Sequence, residues 1–160
     1  MKFTLRGVVA VLGLAAGGLA PACALKPPVE NSGALAKDGV QVAVVGQRCT
    51  ETVEPEWPGA NLVETVVEVQ VQNSGTAPLT VHRDQLKLRG IDGRKVPSGG
   101  WCAADPISVD SGQTKTFSVR FMTRGGMSCT KPMALDADAG ITVGAAPVQV
   151  GAVTFVPSKV

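Results

Sequence analysis

The sequence predicts an all-β protein, an antiparallel β-sandwich of about seven or eight short strands, with an open barrel as the second possibility. Three observations predict this fold class. From Val40 onward, apolar and polar residues alternate at period two, as they do in half-buried strands. No long window carries a helical apolar stripe. Gly, Pro, Asn and Asp residues separate the alternating runs and predict turns between them.

The strands are predicted in order along the chain. Residues 40–45 form the first, and residues 62–73 form the clearest one, with valines facing a core and Glu or Gln facing water. The others are residues 79–82, a hairpin built on Leu86 and Leu88 with an Asp92-Gly93 turn, residues 106–109, residues 117–121 after the turn at 110–113, residues 141–143 and residues 148–156. Mixed patterning in the last run predicts a strand covered on both sides.

The N-terminal residues 1–22 predict a secretory signal peptide. Lys2 and Arg6 precede an uncharged stretch that ends in small residues, and the stretch is shorter than the about 20 apolar residues of a spanning helix. The residues Leu19-Ala20-Pro21-Ala22-Cys23 resemble the lipobox of bacterial lipoproteins. This resemblance implies that Cys23 is the lipidated first residue of the mature chain. Ordinary cleavage after Ala22 or Ala24 is the alternative.

These segments predict the organisation of the chain. Residues 23–38 contain the candidate lipidated Cys23 and a Pro-rich, polar flexible tether, and residues 39–160 form one domain. We therefore expect an exported, membrane-anchored protein of the bacterial cell envelope, with a periplasmic or secreted protein as the alternative. Its expected partners are the membrane, through the lipid, and an envelope protein.

Turns and strands of the domain resemble those of bacterial secreted immunoglobulin-like domains. The residues that carry the likeness are the run VEVQVQNSGTAPL at 67–79, Leu86 and Leu88 with Asp92-Gly93, and VDSGQT at 109–114. The type is that of mycobacterial immunoprotective antigens and many lipoproteins of unknown function. The resemblance implies an immunoglobulin-like sandwich and an extracytoplasmic setting, and it brings no catalytic motif.

The chain has 4 cysteines, and export permits disulfides between them. If Cys23 carries lipid, Cys49, Cys102 and Cys129 remain. An immunoglobulin-like strand order would place Cys102 and Cys129 near one end of the sandwich, so the first expectation is a Cys102–Cys129 bond. A Cys49–Cys102 bond is the second. Under the first pairing, Cys49 would be buried or available for an intermolecular bond.

Candidate chemistry is sparse. Soft sulfur ligands select Cu(I), so the residues Met122, Met127, Cys129 and Met133 raise the alternative of a soluble copper-binding module that uses the loop 122–133. Core packing and a disulfide are the simpler use of the same residues, and no metal or cofactor is predicted. His82 is the single histidine, and the Gly99-Gly100 and Gly125-Gly126 pairs lack the Lys-Ser/Thr of a phosphate loop. The protein is therefore predicted not to be an enzyme, and no small-molecule substrate is evident.

Charge is balanced in total and uneven along the chain. The formal charge is +2, but Lys2 and Arg6 belong to the signal segment, and without them bases and acids are equal in number. Residues 51–68 carry only acidic charges, whereas residues 83–95 are mostly basic. The two stretches either pair across a sheet or form a bipolar surface for a charged partner. Basic residues without interleaved aromatic residues make nucleic acid an unexpected partner.

Two tryptophans complete the candidate sites. Trp57 and Trp101 either cover the core from loops or anchor a protein interface, in which Trp is enriched. The predicted function is that of a non-catalytic exported lipoprotein, a protein-interaction or structural module of the envelope.

Overall fold

The computed structural model describes residues 34–53, 56, 61–99, 105–138 and 140–160. Over these ranges the chain forms twelve β-strands and one short 3-10 helix, Arg83–Gln85, with no α-helix. The strands are β1 (Ala34–Lys37), β2 (Val40–Val53), β3 (Asn61–Asn73), β4 (Leu79–Val81), β5 (Lys87–Arg89), β6 (Lys95–Pro97), β7 (Ile107–Val109), β8 (Thr114–Arg124), β9 (Met133–Asp136), β10 (Ile141–Val143), β11 (Ala146–Pro147) and β12 (Ala152–Phe155).

One layer of the fold is a long four-stranded sheet in the order β1-β2-β3-β8. Strands β2, β3 and β8 have 14, 13 and 11 residues, and all pairs are antiparallel. Alternate β-branched residues, which favour strands, turn one face of this sheet into the core. The largest fully buried side chains of this face include Phe121, Val42, Val44, Val63, Val67 and Val69.

Two short sheets form the opposite layer. The first short sheet has the order β11-β10-β4-β7 and the second has the order β12-β9-β5-β6. Between them, the His82 N–H donates to the Gly140 carbonyl at 2.7 Å, where the 3-10 helix interrupts the run from β4 to β5. The two short sheets are therefore two parts of one interrupted layer.

The two layers are joined at both edges. Beside β8, the Gly99 N–H donates to the Arg120 carbonyl at 3.0 Å. Beside β2, the Cys49 N–H donates to the Ser158 carbonyl, and the Val160 N–H donates to the Cys49 carbonyl, both at 3.1 Å. Three antiparallel sheets, joined in this way around one apolar core, confirm the predicted all-β sandwich class.

A β-bulge in β2 decides which of its residues face the core. Val44 pairs with Val69 and Gly46 pairs with Glu68, so Val45 is an extra residue in the ladder. An extra residue exchanges the two faces of a strand. Val40, Val42 and Val44 are buried before the bulge, whereas Gln47 and Cys49 are buried after it.

A buried asparagine ties β3 to β7 and to the turn before β4, at the other end of the long sheet. The Asn73 amide nitrogen donates to the carbonyls of Ala77 and Val109, each at 2.9 Å, and its Oδ1 accepts from the Gly75 N–H at 3.0 Å. Each polar atom of the side chain has a partner, as a buried amide requires. Asn73 thus fixes the turn that the sequence predicts after β3.

The structure differs from the sequence prediction in several elements. It has twelve described strands instead of seven or eight, because the second layer is broken into short pieces. Strand β1 lies within the predicted flexible tether 23–38, and β2 continues to Val53. The prediction that residues 148–156 are covered on both sides was wrong, since Thr154 and Val156 are exposed and only Ala152–Phe155 is strand. The predicted signal, residues 1–22, lies outside the described residues.

Candidate binding cleft

One end of the sandwich carries a half-open cleft of about 260 Å³. Three segments build it: the tip of the β5–β6 hairpin, the turn after β8, and the loop that leads to β9. Ligand pockets for drug-sized molecules usually have about 300–1,000 Å³, so this cleft suits a smaller group. Its lining consists of Gly90, Ile91, Gly126, Met127, Ser128, Lys131, Pro132 and Met133.

The hairpin tip forms one wall of the cleft. Gly93 has a φ of 78°, a conformation that favours glycine, and the Asp92 carboxylate accepts from the Arg94 N–H at 2.9 Å. The predicted Asp-Gly turn is confirmed. This turn holds Ile91 at the rim with 65% of its surface exposed.

Glycines allow two backbones to approach behind the cleft. A Cβ atom on Gly90 would lie 3.1 Å from the Gly126 carbonyl oxygen and 3.3 Å from Met127 Cγ. Gly126 itself has a φ of +73°. The Gly125-Gly126 pair therefore makes a tight turn against the hairpin.

The inner walls are thioethers. Met127 and Met133 are buried, with exposed fractions of 8% and 3%. The Thr65 hydroxyl donates to Met133 Sδ at 3.8 Å, which orients this side chain. Methionine is flexible and polarisable, so these walls adapt to the shape of an apolar group.

Polar groups stand at the mouth of the cleft. The Ser128 hydroxyl donates to the Glu51 carboxylate at 3.3 Å, and the Asn61 amide donates to the same carboxylate at 2.6 Å. Lys131 is exposed. Over the described ranges, no carboxylate forms an ion pair with Lys131, which leaves its ammonium available to an anion.

A disulfide holds the cleft loop on the long sheet. Cys49 in β2 is bonded to Cys129, with an S–S distance of 2.09 Å and a Cα–Cα distance of 5.5 Å. The predicted Cys102–Cys129 pairing is therefore corrected: the partner of Cys129 is Cys49. The bulge at Val45 turns Cys49 into the core, where the loop after β8 reaches it. Cys102 and Cys23 lie outside the described residues.

The copper hypothesis loses its ligand set in this geometry. The sulfur of Cys129 is bonded to Cys49 in the disulfide, so Cys129 has no thiolate to offer to Cu(I). Met122 lies on the outer face of β8 with 42% of its surface exposed, so it does not join Met127 and Met133. Over the described ranges, no three His, Cys, Asp or Glu side chains are grouped to hold a metal ion.

The remaining candidate residues lie elsewhere. His82, the single histidine, is half-buried between β4 and the 3-10 helix, as the residue that precedes this helix. Trp57 and Trp101, the possible interface residues, fall outside the described residues. Sequence reasoning singled out Met127 and Met133 of the cleft as candidate copper ligands, but it missed the cleft itself, because the lining comes from three separate segments.

Charged residues of the two uneven stretches find partners on other strands. In the acidic stretch, Glu64 pairs with Arg120 of β8 at 3.0 Å. In the basic stretch, Lys95 and Arg89 pair with Asp136 of β9 at 2.5 and 3.2 Å.

Among the described titratable groups, the Asp136 carboxyl has a clearly shifted pKa. Burial raises the pKa of Asp136. This effect is outweighed by hydrogen bonds from Lys95, the Asp138 N–H and Arg89 and by the positive charge of Lys95. The pKa is therefore lowered below its ordinary value. Asp136 serves as an ionised anchor that joins β9 to the hairpin carrying the cleft wall.

Solved structures resemble this fold at low sequence identity. The ycdA protein of Bacillus subtilis, a candidate lipoprotein, superposes with a TM-score of 0.51 and 17% identity over 79% of this chain and 38% of that chain. The likeness shows the fold. A weaker likeness is to the yjhA protein of Bacillus subtilis, with a TM-score of 0.47 and 12% identity over 69% of this chain and 82% of that chain. Another is to a functionally unknown protein of Listeria monocytogenes, with a TM-score of 0.43 and 12% identity over 65% of this chain and 73% of that chain.

Other comparisons add no family. A scan against models of protein families and a search of curated proteins gave no match. Within the described part of the chain, none of the helical segments has the length and apolar character needed to cross a bilayer.

Proposed function

We propose that this chain is a non-catalytic exported lipoprotein whose immunoglobulin-like β-sandwich serves as a protein-interaction or structural module of the bacterial cell envelope. Cys23 is its lipid attachment site, and the membrane is its first partner. An envelope protein is the second.

The observation that carries the proposal is the buried Cys49–Cys129 disulfide. Both cysteines are fully buried, and the bond joins residues 80 positions apart. Structural disulfides persist in oxidising compartments and are rare in the cytosol. A core disulfide therefore supports an extracytoplasmic protein, in agreement with the signal-like residues 1–22.

Two further observations support the anchored form. The lipobox-like residues 19–23 place a cysteine at the end of the signal segment. The ycdA protein, which shares the fold, is itself a candidate lipoprotein. Lipid attachment with more than one acyl chain gives stable anchoring.

The exposed apolar residues at the cleft end support an interaction role. Val53 and Ile91 have 67% and 65% of their surfaces exposed, and Val53 ends the strand that precedes Trp57 in the sequence. These exposed apolar side chains are available for contact with a partner protein.

Mass spectrometry of the purified membrane fraction tests the proposal. We expect a mature chain that begins at an acylated Cys23, and a Cys23→Ser variant that leaves the membrane fraction. An unmodified chain beginning at residue 23 or 25 would exclude the anchor. Crosslinking in intact envelopes then tests the interaction role. A partner protein should be recovered in a larger amount with the parent protein than with the Cys23→Ser variant.

A further inference from the structure

The cleft has the features of a ligand site that the sequence did not reveal. Its walls are the side chains of Ile91, Met127, Met133 and Pro132, and its volume is about 260 Å³. Apolar walls disfavour sugars and free phosphate, since these would lose hydration without gaining enough partners. The volume is below the usual range for cofactor-sized ligands. A single slender apolar chain fits both conditions.

The mouth of the cleft carries charges of both signs, and Lys131 is its cation. Lys131 lines it and is exposed, and over the described ranges no carboxylate pairs with it. Two carboxylates lie near the same mouth: Glu51 accepts from Asn61 and Ser128, and Asp92 accepts from the Arg94 N–H. Over the described ranges, neither forms an ion pair. An anionic end group on the bound chain would therefore turn toward Lys131 and away from these two carboxylates.

We propose that this cleft binds a medium-chain carboxylate. The acyl chain lies between Met127 and Met133, with Ile91 covering it, and the carboxylate faces the ammonium of Lys131. Methionine walls adapt to an unbranched flexible chain. The disulfide at Cys129, next to Ser128, holds the loop that carries Lys131 against β2, so the site is preformed.

The first test is a titration followed on methionine methyl groups by NMR. The protein is the processed full chain carrying Cys23→Ser, and the probes are octanoate, octan-1-ol and acetate. We expect saturable shifts of Met127 and Met133 with octanoate, no shift with acetate, and an unchanged Met122, which lies on the outer face of β8. Equal shifts of all three methionines, or no shift with octanoate, would overturn the proposal.

Variants separate the two parts of the site. Lys131→Gln should weaken octanoate binding by about twofold to fivefold, the usual range for an exposed ion pair, and leave octan-1-ol binding unchanged. Lys115→Gln, an exposed lysine of β8, is the matched charge control. Ile91→Ser should weaken both probes, whereas Val53→Ser, outside the cleft lining, should weaken neither. Equal effects of the Lys131 and Lys115 variants would refute the assigned carboxylate position.

This inference goes beyond the envelope role proposed above. Failure of octanoate binding leaves that role intact, because it depends on the acylation of Cys23 and on the disulfide, which mass spectrometry reads separately.

Discussion

The side-chain amide of Gln47 holds Ser158 from two sides. Gln47 Oε1 accepts from the Ser158 N–H at 2.6 Å, and Gln47 Nε2 donates to the Ser158 hydroxyl at 3.3 Å and to the Val156 carbonyl at 3.0 Å. Gln47 is buried and lies 109 positions before Val156 in the sequence. This contact closes the edge of the sandwich along β2, and it exists because the bulge at Val45 turns Gln47 inward.

Replacing Gln47 by Ala should release the C-terminal segment. The change removes three hydrogen bonds and leaves buried partners unpaired, so we expect a loss of about 3 kcal/mol in the free energy of unfolding. Urea denaturation measures it, with the exposed Gln72→Ala as control. Hydrogen exchange at the Val160 N–H should become faster, since that group donates to the Cys49 carbonyl. Unchanged protection of Val160 would contradict the role given to Gln47.

The disulfide assignment predicts both a fragment and a stability change. Peptide mapping under non-reducing conditions should recover a fragment that links Cys49 to Cys129. The double variant Cys49→Ala/Cys129→Ala should lose about 4 kcal/mol, because the unfolded chain is released from a large closed loop. A fragment linking Cys102 to Cys129 would show that the structural pairing is wrong.

Asp136 predicts a pH-dependent contribution to stability. Its pKa in the folded protein is lowered from the ordinary 3.8, so the ionised form is favoured by folding. That stabilisation is present in full above the ordinary pKa and is lost as the pH falls through the lowered folded value. Asp136→Asn should therefore destabilise the protein most near neutral pH and progressively less below pH 3.8. Urea denaturation over this range, with the exposed Asp84→Asn as control, measures the effect; a difference independent of pH would contradict it.

A side chain at position 140 should clash with the core. A Cβ atom there would lie 2.5 Å from Leu86 Cδ2 and 3.1 Å from the His82 carbonyl oxygen, at the junction of the two short sheets. Gly140→Ala should cost about 1–3 kcal/mol, as overpacking of a core does. Gly99→Ala is the matched control, because nothing lies within 4 Å of its Cβ position, and its effect should stay within about 0.5 kcal/mol. Thermal unfolding of the two variants gives the comparison, and equal effects would disprove the steric argument.

The sequence by itself determined the fold class and the main strands. Alternating valines specify which face of β3 is buried, and the Asp92-Gly93 turn specifies a hairpin, because both depend on near neighbours in the chain. The order of the strands within the sheets is decided by contacts between distant segments, which leave no local pattern.

Only the tertiary structure decided the disulfide, the closed edge and the cleft. The bulge at Val45 exchanges the faces of β2, and this single extra residue turns both Gln47 and Cys49 inward. A bulge depends on how β2 pairs with β3, so the alternation of β2 alone could not locate it. The cleft likewise arises where Gly90 and Gly126 bring two distant backbones together, and the chemistry of its lining belongs to neither segment alone.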